Sequence, residues 1–437
     1  MQLRRIHITN FKGIEDVEFK FDSRFNLIIG DNGVGKTSVL EAISVVLGAF
    51  LAGIDNVSSI HFSKDEIRRE KVLIGQGSYN IKYKIPIKVE CEAMIGEEPF
   101  SYIRQKKNIN SARSTIEPRD ICKKAADMVN QDDSILPIIS YQSFSRVANQ
   151  KKDKWENVFT DDFSRVVGYT DCLEEASNTK LLTNWCKRME QISWQQDRKI
   201  AEYESVKMAI AKFMGIMLGH EECKVYYDKR MEELVYLDGS DILPVRLLSS
   251  GYRTLIGMVL DIAFRMAILN PNLLERIPER TNGIVLIDEL ELHLHPKWQW
   301  KVVEALKKTF PSVQFIATTH SPLLIASCQN ENLIVLKDIN PSADVFDVKA
   351  DYMKTAKGWQ INDVLETIMQ TSNRDPETTD KLRRLKELAY KKMKKLINEK
   401  ELVEYKNLML EIRQLLPEGD IAIEEAALLS IEDILGE

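Results

Sequence analysis

Gly30-Asp31-Asn32-Gly33-Val34-Gly35-Lys36-Thr37 fits the phosphate-cradling pattern G-x-x-x-x-G-K-[ST] at every constrained position. The apolar run Phe25-Asn26-Leu27-Ile28-Ile29 precedes it, and the helix-forming stretch Ser38-Val39-Leu40-Glu41-Ala42 follows. A strand, a tight loop and a helix start are predicted. Glycines at 30, 33 and 35 free the backbone to wrap its N–H groups around phosphate oxygens, and the helix N-terminus adds unpaired donors and the positive end of its dipole. Lys36 is placed to reach β- and γ-phosphates and Thr37 to put its hydroxyl on Mg²⁺. The chemistry implied is binding of a nucleoside triphosphate with Mg²⁺. A chance glycine-rich turn would not come with the strand and helix that flank it.

Downstream, Gly283-Ile284-Val285-Leu286-Ile287 is an apolar strand ending in the acids Asp288 and Glu289. Open α/β sheets place ligand chemistry at the carboxyl ends of buried parallel strands, so Asp288 is suited to hold Mg²⁺ and Glu289 to orient or deprotonate an attacking water. Two more strands read the same way: Ile135–Tyr141, ending at Gln142 with Arg146 just beyond, and Val313–Thr319, ending at His320. Ser321-Pro322 is explained as a helix start. A histidine level with the acidic edge is not. Leu248-Ser249-Ser250-Gly251-Tyr252-Arg253 opens a predicted helix reaching about Leu269; its hydroxyls and helix-start N–H groups form an anion-receiving surface, although a plain N-cap would look similar. His293 and His295, two apart in a probable loop, make a weak metal pair and read as structural or close to nucleotide.

The chain has 437 residues, 44% hydrophobic, with a formal net charge of −6, so it offers a substantial core and no global basic field. Nucleic acid could be met only through local patches. Six scattered cysteines form no C-x-x-C pair and complete no zinc spacing with the histidines, which predicts reduced thiols, a cytoplasmic setting and no structural metal. Neither a signal core nor an apolar run of about 18 residues is present, so no membrane partner is expected.

Around this frame, residues 2–21 alternate as a β-hairpin broken at Asn10-Phe11-Lys12-Gly13, and Ile81, Tyr83, Ile85, Ile87 and Val89 alternate as one half-buried strand. Residues 104–124 are basic and irregular and read as a solvated face; between about Leu173 and Leu218 the pattern is helical. Two strands follow at Val225–Tyr227 and Leu234–Leu237, a helix runs from Pro296 to about Thr309, and strands at Asn332–Leu336 and near Val345–Val348 complete the sheet. After Pro376 the pattern is all helix: Leu382, Leu385, Ala389, Met393 and Leu396, then Leu402, Tyr405, Met409, Ile412 and Leu416, describe an antiparallel pair. The basic stretch 381–400 precedes acidic last turns at Ile423–Glu437.

The phosphate loop, Leu248–Tyr252, the Asp288–Glu289 doublet and His320 stand in the order of ABC-type ATPases, which the chain resembles. Ile8-Thr9-Asn10-Phe11-Lys12-Gly13 and Glu291–Pro296 narrow the resemblance to the RecF/SMC-like branch, and its layout is similar to the ATPase subunit of the Septu anti-phage system, PtuA. The motifs span residues 8 to 322, about three quarters of the chain. The resemblance implies an α/β ABC-ATPase head, a mixed sheet with a phosphate-loop core plus a helical lobe at about 143–270, within residues 1–372. A helical docking or oligomerisation element would occupy 373–437. It implies ATP and Mg²⁺ as cofactors, with Gly30 to Ser38 and Lys12 at the nucleotide. Thr37, Asp288 and Gln142 would stand at the metal, Glu289 would be the catalytic base and His320 the switch histidine. Two heads would sandwich ATP, Ser249 and Gly251 meeting the γ-phosphate of the partner head, in a homodimer or a larger homo-oligomer. The signature reads L-S-S-G-Y where the family has L-S-G-G-Q. The implied role is to sense or gate a separate, nuclease-like effector in anti-phage defence. A RecF-like ATPase clamping duplex DNA is the alternative. Without a long coiled-coil insertion, a DNA-bridging SMC role is not expected.

Overall fold

The computed structural model describes residues 1–74, 78–143, 164–174, 179–220, 223–329, 331–338, 348–417, 420 and 422–423. Arg146, most of the strand predicted near Val345–Val348, the opening of the 143–270 lobe and the acidic turns beyond Ile423 lie outside them. The chain divides into two compact units, Met1–Gln360 and Ile361–Glu437.

The strands of the first unit are β1 (Gln2–Phe11), β2 (Ile14–Lys20), β3 (Phe25–Ile29), β4 (Arg69–Leu73), β5 (Tyr79–Tyr83), β6 (Ile87–Ile95), β7 (Glu98–Lys106), β8 (Thr115–Glu117), β9 (Ile138–Gln142), β10 (Cys223–Asp228), β11 (Glu233–Asp238), β12 (Asp241–Pro244), β13 (Gly283–Ile287), β14 (Val313–Thr319), β15 (Asn332–Asp338) and β16 (Val348–Met353). Its centre is a six-stranded sheet in the order β16-β15-β3-β14-β13-β9, parallel throughout except for the β15–β16 pair. Every residue of β3, β13 and β14 is buried, as continuous apolar runs require of a parallel sheet covered on both faces. Beside it lies an antiparallel sheet in the order β2-β1-β6-β7-β8. The fully buried Gln314 on β14 ties the two together: its amide accepts from Leu3 N at 2.7 Å and donates to Leu3 O at 2.8 Å, satisfying a backbone pair that would otherwise be orphaned.

The helical layer holds Thr179–Gln195, Ala201–Leu218 and Ser250–Leu269, locked by Trp185 edge-on to Tyr203 (5.8 Å) and to Phe264 (5.2 Å). Trp185, Val206, Ile210 and Phe213 of the helical stretch predicted at 173–218 are buried in this core.

Four local readings are corrected. The alternation from Ile81 to Val89 is two strands, β5 and β6, in different sheets; Pro86 supplies no ladder N–H and divides them. The basic stretch 104–124 holds the end of β7, β8 and the start of the helix Asp120–Asn130, and Arg104 is fully buried, donating to Val45 O (2.6 Å), Ser114 Oγ (2.9 Å) and Ser59 Oγ (3.1 Å). A third strand, β12, joins β10 and β11. The helix after Pro296 is two pieces, Pro296–Gln299 and Val302–Thr309.

In the second unit, helices Pro376–Met393 and Glu399–Leu415 start on Asp375, which accepts from Thr378 N, and on an Asn398–Glu401 capping box. Leu382, Leu385, Leu388 and Ala389 pack with Tyr405 and Ile412. Lys381–Glu411, Arg384–Glu404 and Lys391–Glu401 pair across the interface in antiparallel order, so much of the basic face is matched by acids of its partner helix.

Candidate functional site

The register of the parallel sheet aligns the predicted residues. Thr319 lies opposite Ile29, Ile287 opposite Ala317 and Gln142 opposite Ile287, so the phosphate loop, Asp288–Glu289, His320 and Gln142 leave four adjacent strands at one carboxyl edge. Gly33 and Gly35 take φ of 83° and 102°, the left-handed region where a side chain would be strained. Gly30 is required for a different reason: a Cβ there would stand 2.8 Å from Leu336 O. Val34 is buried, whereas Asp31 and Asn32 at the loop tip are exposed. Gly35 caps the helix Lys36–Leu51, whose first turn includes Ser38.

Lys36 is almost fully buried, its ammonium donating to Gly30 O (2.7 Å) and Asp31 O (2.8 Å). Burial pushes its pKa down, and the carboxylates of Asp288, Asp31, Glu291 and Glu289 push it back. The cation is thus held inside the loop it would leave to reach a phosphate. Thr37 Oγ1 donates to Asp288 Oδ2 at 2.9 Å, which places hydroxyl and carboxylate side by side as a metal at this edge would need them. The other oxygen, Oδ1, accepts from Thr318 Oγ1 at 2.6 Å, and Thr318 Oγ1 in turn accepts from Glu289 N at 2.8 Å. Glu289 is exposed with φ 52°, a left-handed backbone conformation that is strained for a residue with a side chain. Glu291 accepts from Thr319 Oγ1 (2.7 Å) and His320 N (2.5 Å), fixing the turn that carries His320.

Gln142 is at this edge by register, its carbonyl accepting from Asp288 N at 2.8 Å, but its side chain turns to the helix Ser250–Leu269: Nε2 donates to Asp261 Oδ2 at 2.6 Å and Ser140 Oγ at 2.8 Å. Arg265 Nε also donates to that Asp261 oxygen, at 3.0 Å. Lys12 pairs with Glu41 on the phosphate-loop helix. Ser249 and Gly251 stand apart from this bonded group on their own helix. Ser249 is exposed at the helix start, whereas Gly251 is buried: a Cβ there would meet His293 O at 2.7 Å. His295 caps the helix Pro296–Gln299, accepting from Lys297 N at 3.2 Å.

Sequence reasoning gave no site role to Thr318 or Asp261, and took Glu291 only as part of a family motif. Thr318 and Thr319 had a signal, since polar residues ending an apolar strand need partners. Asp261 had none, because its partner Gln142 is remote in sequence.

Residues 5–214 match a family described as AAA domain, and residues 142–325 one described as AAA ATPase domain. The chain is similar to the retron Vc95 probable ATPase of Vibrio cholerae serotype O1 biovar El Tor, 26% identical over 398 residues, 78% of this chain and 74% of the relative. It is 25% identical to the Septu protein PtuA of Bacillus thuringiensis over 379 residues, 84% of each chain. A segment of 43 residues, 10% of this chain and 12% of the relative, is 58% identical to DNA replication and repair protein RecF of Geobacter sulfurreducens. In fold it is similar to a crystal structure of an SMC head bound to the C-winged helix domain of ScpA, with TM-score 0.50 and 16% identity over 81% of this chain and 98% of that one.

Proposed function

We propose that the chain, similar over most of its length to Septu and retron ATPases, is an ABC-type ATPase of the RecF/SMC-like branch that binds and hydrolyses Mg-ATP and uses that cycle to gate a separate effector in anti-phage defence. The observation that carries the reading is the single edge on which Lys36, the Thr37–Asp288 pair and the strained Glu289 stand together. The loop from Gly30 to Ser38 wraps the phosphates, and Lys36 exchanges its two carbonyl partners for β- and γ-oxygens. Thr37 and Asp288 hold Mg²⁺, which would neutralise charge building on the phosphates. Glu289 takes a proton from water as its oxygen attacks the γ-phosphorus and ADP leaves. Thr318 keeps Asp288 oriented. Gln142 would be free to help hold Mg²⁺ only once it released Asp261, so the signature-bearing helix would govern when water is positioned.

Ser249 and Gly251 act in trans, from a second copy closing head to head on ATP, and His320 faces that γ-phosphate. Lys12, held by Glu41, borders the nucleotide. The head occupies 1–372, and the helical element 373–437 serves docking or larger assembly. A nuclease-like protein is the expected effector. The RecF-like reading, a clamp on duplex DNA, has matches over 10% to 21% of the chain, and the relatives that span most of it favour the defence ATPase. Among the described residues, no helix is long and apolar enough to cross a membrane.

The test is to express the tagged chain with its neighbouring genes and record native mass and co-purifying proteins with and without ATP. A stoichiometric effector whose activity in cells changes with Lys36→Ala supports gating; an effector indifferent to that substitution contradicts it. A bare dimer retaining DNA, with binding that weakens steeply with salt, would favour the clamp.

A further inference from the structure

Away from the nucleotide edge, we infer that His220, Cys223 and Asp238 form a zinc site. The helix Ala201–Leu218 ends on Gly219, whose φ of 87° reverses the chain and delivers His220 beside the start of β10. Cys223 opens β10 and Asp238 closes β11, and the two are direct partners in the antiparallel register. Side chains at such a pair share one face with Cβ atoms about 5 Å apart. The three potential ligand atoms lie within 4.8 Å of one another; the thiol is 3.8 Å from His220 Nδ1, and Asp238 Oδ1 is 3.6 Å from His220 Nε2. A tetrahedral zinc ion with one nitrogen, one sulfur and one oxygen ligand needs separations of about 3.3–3.8 Å, so a turn of the imidazole to present one nitrogen, with a small shift of the thiol and the carboxylate toward it, completes the set.

The donor set selects the metal. Thiolate and imidazole suit zinc, whereas Mg²⁺ and Ca²⁺ take oxygen. Thiolate and carboxylate together balance the charge of Zn²⁺, and binding releases the thiol proton. Cys223 is buried while His220 and Asp238 are partly open to solvent, which gives an anchored ligand and a path of entry. A supporting group is also present. The Tyr236 hydroxyl lies 3.2 Å from Asp238 Oδ2 and 3.4 Å from Cys223 Sγ, so it donates to the carboxylate oxygen that turns away from His220 and leaves Oδ1 for the ion. With three protein ligands, the fourth position belongs to water. Sequence spacing hid the site: His220 and Cys223 are close, but Asp238 reaches them only through the β10–β11 register.

Its position gives it a task. The Tyr236 ring packs edge-on to Tyr252, 5.6 Å away, and Tyr252 packs edge-on to Trp298 at 4.8 Å. Tyr252 belongs to the first turn of the helix that carries Ser249 and Gly251. The ion would clip the sheet to the end of the preceding helix and stiffen the platform under that turn.

The test uses the full chain, stripped by chelator and kept free of nucleotide, titrated with Co²⁺ as a spectroscopic stand-in for Zn²⁺. One equivalent is expected to give a thiolate-to-cobalt charge-transfer band that Zn²⁺ bleaches. Cys223→Ala should abolish the band. His220→Gln and Asp238→Asn, on partly exposed side chains whose folding circular dichroism would verify, should weaken binding at least about tenfold, and Tyr236→Phe by about tenfold. Thr37→Ala should leave the band unchanged, separating this ion from one at the nucleotide edge. A folded parent chain with no band, or a band indifferent to Cys223→Ala and His220→Gln, would overturn the assignment.

Discussion

At the carboxyl edge of the six-stranded sheet, the Lys36 ammonium is withdrawn from water and Asp288 is held by specific neighbours, with Glu289 left exposed; in the C-terminal helical pair charged groups are many, solvated and paired loosely. Lys36 is almost fully buried with its ammonium on two carbonyls, and both Asp288 oxygens are taken by threonine hydroxyls. Arg384 and Glu404, by contrast, are each about two-fifths exposed, and water can replace either partner. Removing one group at the edge strands another in a desolvated place; removing one on the helices strands nothing. Their stabilities should respond differently to substitution.

The largest effect is expected at Lys36. Lys36→Ala should weaken ATP binding on the order of 100-fold, as truncation of a desolvated charge contact does, with the fold retained; calorimetric titration measures it. Next is Thr318→Val, which removes the donor to Asp288 and the acceptor for Glu289 N together. A charge-assisted bond contributes about 1.5–3 kcal/mol, so turnover should fall roughly 10- to 100-fold, and the stranded Glu289 N–H should lower the melting temperature as well. Parent turnover in this variant would break the idea that the threonine orients the acids.

On the helical side, Leu385→Ala opens a cavity in a core whose Leu385 is fully buried and should cost about 2–5 kcal/mol. Hydrogen exchange should show lost protection across 382–412 and none across β3, β13 and β14. Loss in both regions would mean the two units are not independent. Smallest of all, Arg384→Ala should leave the melting temperature within error.

The edge was largely legible in the sequence because its signals are local. A phosphate loop is eight consecutive residues, a buried parallel strand is one apolar run, and Asp288–Glu289 and His320 announce themselves by ending such runs. What was not legible depends on pairing between distant segments. Pro86 splits an alternation that looked like one strand, and Arg104 reads as solvated until β7 carries it beneath the backbone of the phosphate-loop helix. The hold of Asp261 on Gln142 joins a helix to a strand end well over 100 residues earlier, for which no periodicity or spacing gives a sign. Gly251 is similar: the motif marks it, but only the fold shows that the carbonyl of His293 leaves no room for a side chain.

The most direct test of the central claim is Glu289→Gln, assayed for ATP turnover and for native mass with and without Mg-ATP. The amide cannot accept the water's proton, so turnover should fall about 10²- to 10⁴-fold while ATP stays bound and the mass doubles only when it is present. Hydrolysis at the parent rate would remove Glu289 as the base, and a mass indifferent to ATP would contradict closure of two heads on the nucleotide.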